Sequence, residues 1–320
     1  MSRVSSEAIP AFERTLMLNG TLVRAASPQN VVETRVIGIP SGTTQATIYP
    51  SSISDAPTAI VLPAMGVPAR AYARTAAQLA VHGVNVVAIE LRGIGASSVT
   101  ADGRNDWGYL DLVDHEVEAA VATAADVFPV SRRFFVGHSL GGHLALLHQA
   151  RYPERDLAGT FLVASGSPYA RMYGLAMRPV VSALAMLIDH SLRRHRLWRG
   201  DRLRFGGVQP YTLMREWASF TRTGKLVPHG EWNAERALAA LNAPIVALAM
   251  SGDRYAPSSA IRHLAAKTSG PVWHESVAVT RIGRAPGHFA WLRDPETAVC
   301  SIVANLFKLG LSRSPCRVSR

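Results

Sequence analysis

Lysine is nearly absent from this chain: Lys225, Lys267 and Lys308 are the only three in 320 residues, so arginine carries most of a formal charge of +11. With alanine and valine also abundant, a compositional bias of the source is the plainer account of that charge. Attraction to acidic substrates, a membrane surface or nucleic acid is the sharper one. No nucleic-acid module accompanies it, since the aromatics are not interleaved with arginines on a strand surface. Cysteine is almost as scarce. Cys300 and Cys316 make neither a disulfide framework nor a metal-ligand spacing, and a reducing compartment is the simplest expectation. Long apolar runs are missing too: Met1 to Pro10 lacks the apolar stretch of a signal peptide, and no segment reaches the length of a membrane span. A soluble, cytoplasmic protein without stable membrane insertion is therefore expected. No histidines pair with carboxylates on one helix face, and Gly93-Ile94-Gly95 lacks the third spaced glycine and following helix of a dinucleotide site. Neither a metal nor a cofactor is expected.

What remains is a folding, enzyme-like composition, 48% hydrophobic and only 18% charged. Val31 to Ile39 and Gln45 to Tyr49, joined through Ser41-Gly42-Thr43, read as an opening β-hairpin. Wholly apolar runs at Ala59 to Leu62 and Val84 to Ile89 read as strands buried on both faces, with a helix from Ala69 to His82 between them. That strand, helix, strand order is a right-handed crossover and builds a parallel sheet. It continues with a helix near Leu110 to Val127 and strands at Phe134 to Val136, Thr160 to Ala164, Ile245 to Met250 and Val272 to Val279. Helices from Ser258 to Lys267 and from Glu296 to Leu309 complete the alternation. The expected class is α/β: a mostly parallel central sheet of about eight strands flanked by helices. Residues 168–238 break the alternation with an apolar run from Pro179 to Ile188 and eight arginines between Arg171 and Arg204, and read as a helical cap. The expected organisation is an N-terminal arm at 1–30, core at 31–167, cap at 168–238, core again at 239–311 and a basic tail at 312–320.

The densest chemical signal is Phe134-Phe135-Val136-Gly137-His138-Ser139-Leu140-Gly141-Gly142 followed by an apolar helix. A strand, a glycine-flanked serine and a helix make a nucleophile elbow, which holds the hydroxyl clear of its neighbours. A serine at its ordinary pKa is a poor nucleophile and needs a base and an orienting acid, which follow an elbow in the order acid, then histidine. Asp253, in a Gly-Asp turn after the strand ending at Met250, is the candidate acid; Asp189 and Asp201 have no strand in front of them. His288, in the loop Gly283 to Trp291 between the last strand and last helix, is the candidate base, whereas His263 falls in a helix and His274 in a strand. Charge developing on an attacked carbonyl needs fixed donors. The backbone N–H of Leu140 is one candidate, and that of Met65 the other, with Ala64 an open alternative in the same loop.

These segments together resemble the α/β-hydrolase superfamily. The resemblance rests on the loop Pro63 to Pro68, the turn Glu90-Leu91-Arg92-Gly93-Ile94-Gly95-Ala96-Ser97, the Gly137 to Gly142 elbow, Gly252-Asp253 and Gly287-His288-Phe289. More narrowly, Met65-Gly66-Val67-Pro68, Asp106-Trp107-Gly108 and His288-Phe289-Ala290-Trp291 are similar to a bacterial group of α/β hydrolases of undefined substrate. The resemblance implies a Ser139-His288-Asp253 triad, acyl-enzyme chemistry and a small-molecule acyl substrate. It also implies that His138, which precedes the serine in many relatives, is not the base. Two departures stand out: Glu90 replaces an aspartate, and Pro63-Ala64 replaces His-Gly. A serine hydrolase of carboxylic esters, thioesters or amides is the leading reading; an acyltransferase using the same acyl-enzyme and a non-catalytic ligand-binding member of the fold are the others. The cap arginines, Arg193 and Arg194 among them, allow a carboxylate- or phosphate-bearing substrate or simply make a solvated cationic face.

Overall fold

The computed structural model describes residues 32–278 and 287–311, together with the backbone of two short strands, Leu16–Leu18 and Thr21–Val23. Its centre is a sheet of eight strands: β1 (Glu33–Ile39), β2 (Gly42–Tyr49), β3 (Thr58–Leu62), β4 (Asn85–Ile89), β5 (Arg133–His138), β6 (Thr160–Val163), β7 (Ile245–Met250) and β8 (Val272–Val277). Their spatial order is β8-β7-β6-β5-β3-β4-β2-β1. Every pairing is parallel except those of β2, which runs antiparallel to both β1 and β4. This is the α/β-hydrolase arrangement. Strands β3 and β4 are buried at every residue because helices cover both sheet faces. The strand period of two sends Ile60 and Leu62 into one apolar core and Ala59 and Val61 into the other. The helices α1 (Ala73–Val81) and α8 (Glu296–Ala304) close one face. On the other face lie α2 (Glu118–Val127), α3 (Leu140–Arg151), α6 (Ala234–Ala240) and α7 (Ser258–Ala265).

Several elements differ in detail from the sequence reading. The opening hairpin turns through Pro40 and Ser41 alone, with Ser41 at φ 71°, because Gly42 already pairs with Ile39. The helix expected from Ala69 begins as a 3-10 turn at Ala69–Tyr72. The one expected from Leu110 carries a π-helical stretch at Leu112–Val117, which holds Glu116 inside the protein with both its carboxylate oxygens on Arg92. The expected arm contains the antiparallel pair Leu16–Leu18 and Thr21–Val23. The end of the last expected strand at Val279, the residues Gly283 to Pro286 and the tail 312–320 lie outside the described residues. Cys300 is disulfide-bonded rather than a free thiol, where the sequence reading expected no disulfide framework.

The segment between β6 and β7 is not purely helical. Besides α4 (Met177–His195) and α5 (Tyr211–Thr223) it contains an antiparallel pair, Leu197–Arg199 with Val208–Pro210. Gly206 and Gly207, at φ 73° and 69°, make the left-handed turn that a helix cannot contain. Helix α4 buries Val181, Ala185, Ile188 and Leu192 at a helical spacing, so one face of it is turned inward. No helix among the described residues is long and apolar enough to cross a membrane.

Candidate active site

Strand β5 ends at His138 in the middle of the sheet, and α3 starts at Leu140. Ser139 is the whole connection. Its backbone stands at φ 52° and ψ −116°, a conformation an L-residue adopts only when its surroundings force it. Those surroundings are specific: Ser139 N–H donates to Val163 O at 3.2 Å, and Ser165 Oγ donates to Ser139 O at 2.6 Å. The flanking glycines contribute closeness rather than handedness. A Cβ at Gly137 would lie 2.5 Å from Gly142 Cα, and one at Gly141 would collide with the carbonyl of Leu62 on β3. The left-handed residue of the elbow is the serine itself.

Asp253 follows β7, where its Oδ1 accepts the N–H groups of Tyr255 at 2.8 Å and Ala256 at 3.1 Å. With that oxygen occupied, Oδ2 faces His288 Nδ1 at 2.8 Å. Both residues are buried, at 8% and 7% exposure, so their pairing is shielded from water. Ser139, Leu140, Met65, Ala64 and His288 all line one cavity of about 140 Å³. Ser139 and His288 make no direct hydrogen bond among the described residues. Of the other acidic candidates, Asp189 pairs with Arg222 and Asp201 with Arg199, both within the segment between β6 and β7.

The loop after β3 is held by a residue the sequence reading passed over. Ala64 N–H donates to Tyr72 Oη at 2.8 Å, and that hydroxyl lies 2.7 Å from His138 Nδ1. Ala64 N–H is therefore committed, and of the two donors left open Met65 is the one not spent on Tyr72. Tyr72 is fully buried, and burial pushes its pKa far up, so the hydroxyl keeps its proton within hydrogen-bond distance of His138. His138 is itself held neutral, chiefly by burial and then by the neighbouring His288, whose ring centroid is 4.8 Å away. It takes no place beside Ser139 as a base. Glu90, where the resemblance expects aspartate, accepts from Ala69 N–H at 2.9 Å and Ala96 N–H at 3.3 Å. The longer side chain thus spans two loops near the same edge, and burial raises its pKa.

A family model described as serine aminopeptidase, S33, matches residues 56–271, more than half of the chain. The chain belongs to that family of α/β hydrolases. Among solved structures, the α/β hydrolase GrgF from Penicillium sp. sh18 aligns at a TM-score of 0.57 and 17% identity, over 87% of this chain and 97% of its own. An esterase from Exiguobacterium antarcticum aligns at a TM-score of 0.55 and 14% identity, over 85% and 98%. A bromoperoxidase from Bacillus anthracis aligns at a TM-score of 0.57 and 12% identity, over 86% and 100%. Such identities speak for the shared fold alone. Among curated proteins none matches the chain in sequence.

In this S33-family chain the cavity is closed from above by the segment between β6 and β7. Met177, Val180, Val181 and Leu184 of α4, with Phe205 and Trp217, supply an apolar wall. Its position over the sheet is fixed by polar contacts that give Asp106-Trp107-Gly108 a concrete role. Asp106 accepts from Thr212 N at 2.8 Å and Oγ1 at 2.7 Å, and Glu216 accepts from Tyr109 N–H at 2.8 Å and pairs with His229 at 2.9 Å. Gly108 has no room for a Cβ, which would sit 2.6 Å from the Glu216 carboxylate. The cavity floor includes His143, one helical turn beyond Ser139, whose Nε2 donates to Gly166 O at 2.9 Å while Tyr109 Oη approaches Nδ1 at 3.2 Å. Tyr72, Ser165 and His143 carry no motif of their own, so only the folded chain reveals them. Among the described residues no group of three or more His, Cys, Asp and Glu is placed to hold a metal.

Proposed function

We propose that this protein is a serine hydrolase that cleaves a carboxylic ester through an acyl-enzyme. The observation that carries the reading is the 2.8 Å contact of His288 Nδ1 with Asp253, in the cavity where Ser139 stands at left-handed φ. An aspartate on Nδ1–H keeps the basic lone pair on Nε2, the tautomer that accepts a serine proton. Ser139 Oγ attacks the ester carbonyl, and its proton passes to His288 Nε2 and then to the leaving alkoxide. Leu140 N–H, at the first residue of α3, and Met65 N–H hold the oxyanion. Water then attacks the acyl-enzyme by the reverse proton path and releases the acid. The apolar wall receives the acyl part. A cavity near 140 Å³ matches one that holds a ring of six carbons, so short acyl groups are the expected substrates.

The test is labelling by a fluorophosphonate probe, compared between the native chain, Ser139→Ala and His288→Ala, followed by a panel of oxyesters, thioesters and amides with four to ten acyl carbons. The expected result is labelling lost in both variants and hydrolysis centred on short oxyesters, with Asp253→Asn slower by about 10⁴-fold in kcat. A folded native chain that takes no label would overturn the proposal in favour of a ligand-binding member of the fold.

A further inference from the structure

The charge of the cavity is one-sided. Among the described residues no carboxylate lines it, and His143 on its floor is neutral at pH 7. Among the described residues its two fixed charges are Arg204 and Arg254, both exposed where the cavity meets solvent. Six other arginines among the described residues, Arg35, Arg92, Arg151, Arg155, Arg199 and Arg222, pair with a carboxylate. The side chains of Arg204 and Arg254 have no ion pair or hydrogen bond among the described residues, although most of the cavity wall around them is apolar. Arg193 and Arg194, the pair singled out in the sequence, stand exposed in the last turn of α4 and do not line the cavity.

Both arginines are mounted on backbone that the site itself holds in place. Arg204 stands at φ 54° beside the Gly206-Gly207 turn, which packs on the oxyanion loop so closely that a Cβ at Gly66 would lie 2.5 Å from the Gly206 backbone. Arg254 follows Asp253 directly, in the turn whose Tyr255 and Ala256 N–H groups are tied to the Asp253 carboxylate. One guanidinium therefore comes from the covering segment and the other from the core. An apolar cavity with two unpaired guanidinium groups at its opening suits an amphiphile with an anionic group, because guanidinium binds carboxylate and phosphate through paired N–H donors.

We infer that the substrate of this site is a short-chain ester carrying a carboxylate or phosphate, held at the cavity mouth by Arg204 and Arg254. The inference rests on the reading of the cavity as an ester-cleaving site. The anion sits on either the acyl or the alcohol portion, and the two sources call for different probes. On the acyl side, mono-(4-nitrophenyl) adipate is compared with 4-nitrophenyl hexanoate; on the alcohol side, hexanoyl glycerol 3-phosphate is compared with monohexanoylglycerol. The expected result is a kcat/KM at least about tenfold higher for the anionic member of one pair at low salt. That preference falls as salt is raised toward 0.5 M, because both arginines face water. It falls toward parity in Arg204→Gln/Arg254→Gln and returns in Arg204→Lys/Arg254→Lys.

A second measurement does not depend on turnover: calorimetric binding of hexyl phosphate and of 1-hexanol to Ser139→Ala protein, with and without the arginine substitutions. Tighter binding of hexyl phosphate, lost when both arginines are replaced by glutamine, supports the anion site even if no ester on the panel is cleaved, in which case the hydrolase reading alone fails. Equal binding of the two probes, or an anionic preference that survives both glutamine substitutions, overturns the inference while leaving the hydrolase reading intact.

Discussion

Replacing Tyr72 by phenylalanine removes one oxygen and strands two buried groups. The ring remains, with its edge contact to Trp291 at 5.9 Å, so packing changes little. What is lost is the acceptor for Ala64 N–H at 2.8 Å and the hydrogen-bond partner of His138 Nδ1 at 2.7 Å. Tyr72 and His138 are fully buried and Ala64 nearly so; water is therefore not at hand to replace the missing hydroxyl. A stranded buried donor or acceptor costs about 1–3 kcal/mol. Two of them, offset by the desolvation that the tyrosine oxygen no longer bears, give an expected loss of about 2–4 kcal/mol in urea unfolding. The kinetic effect follows from place. Ala64 is the neighbour of the proposed oxyanion donor Met65, and full removal of such a donor costs about 10²–10³ in kcat. A loop that shifts without losing the donor should cost about tenfold in kcat on a short ester, with KM within about threefold. If Tyr72→Phe unfolds within about 0.5 kcal/mol of the native chain and keeps its kcat, the hydroxyl does not hold the oxyanion loop, and the reasoning is wrong.

Burial, more than the nearby Lys267 charge, pushes His143 down to about 4, while its bond to Gly166 pulls the other way. Its folded pKa is lower than its unfolded one, so this contribution to stability is full above pH 6.5 and is lost as pH falls toward 4. At pH 5 the loss from His143 alone is about 2 kcal/mol relative to pH 7. Glu90, Glu116 and Glu216, which burial raises, act with the opposite sign, so the measurement is a comparison: His143→Gln should narrow the gap in unfolding free energy between pH 7 and pH 5 by about 2 kcal/mol, and an unchanged gap would reject the assignment. Gly141→Ala should abolish labelling of Ser139 or prevent folding, because its Cβ would strike the Leu62 carbonyl on a central strand. Gly174→Ala, with nothing within 4 Å of the added carbon, is the matched control and should unfold within about 0.5 kcal/mol of the native chain.

The strands of the sheet were legible because buried parallel strands leave apolar runs and glycine-marked turns in the sequence. Val61 and Val87 sit deep in the protein for that reason. The candidate serine and acid were legible for a related reason: each stands in a turn directly after a recognisable strand, where a parallel sheet gathers its functional groups, while the candidate histidine was read from its place before the last helices. The segment between β6 and β7 was not legible in the same way. Its strand pair depends on where two glycines at φ 73° and 69° let the chain reverse, and apolar periodicity does not encode that reversal.

From the sequence alone followed the class of fold, the elbow and the candidate set for nucleophilic chemistry, since these depend on local spacing and on chain order along a parallel sheet. Only the tertiary structure decided that Ser139 itself carries the left-handed backbone, that Tyr72 takes up Ala64 N–H, and that Arg204 and Arg254, rather than Arg193 and Arg194, reach the cavity. The physical reason is that hydrogen bonding and cavity lining join residues far apart in the chain. Tyr72 meets His138 across 66 positions, a distance over which no pattern of neighbouring residues carries information.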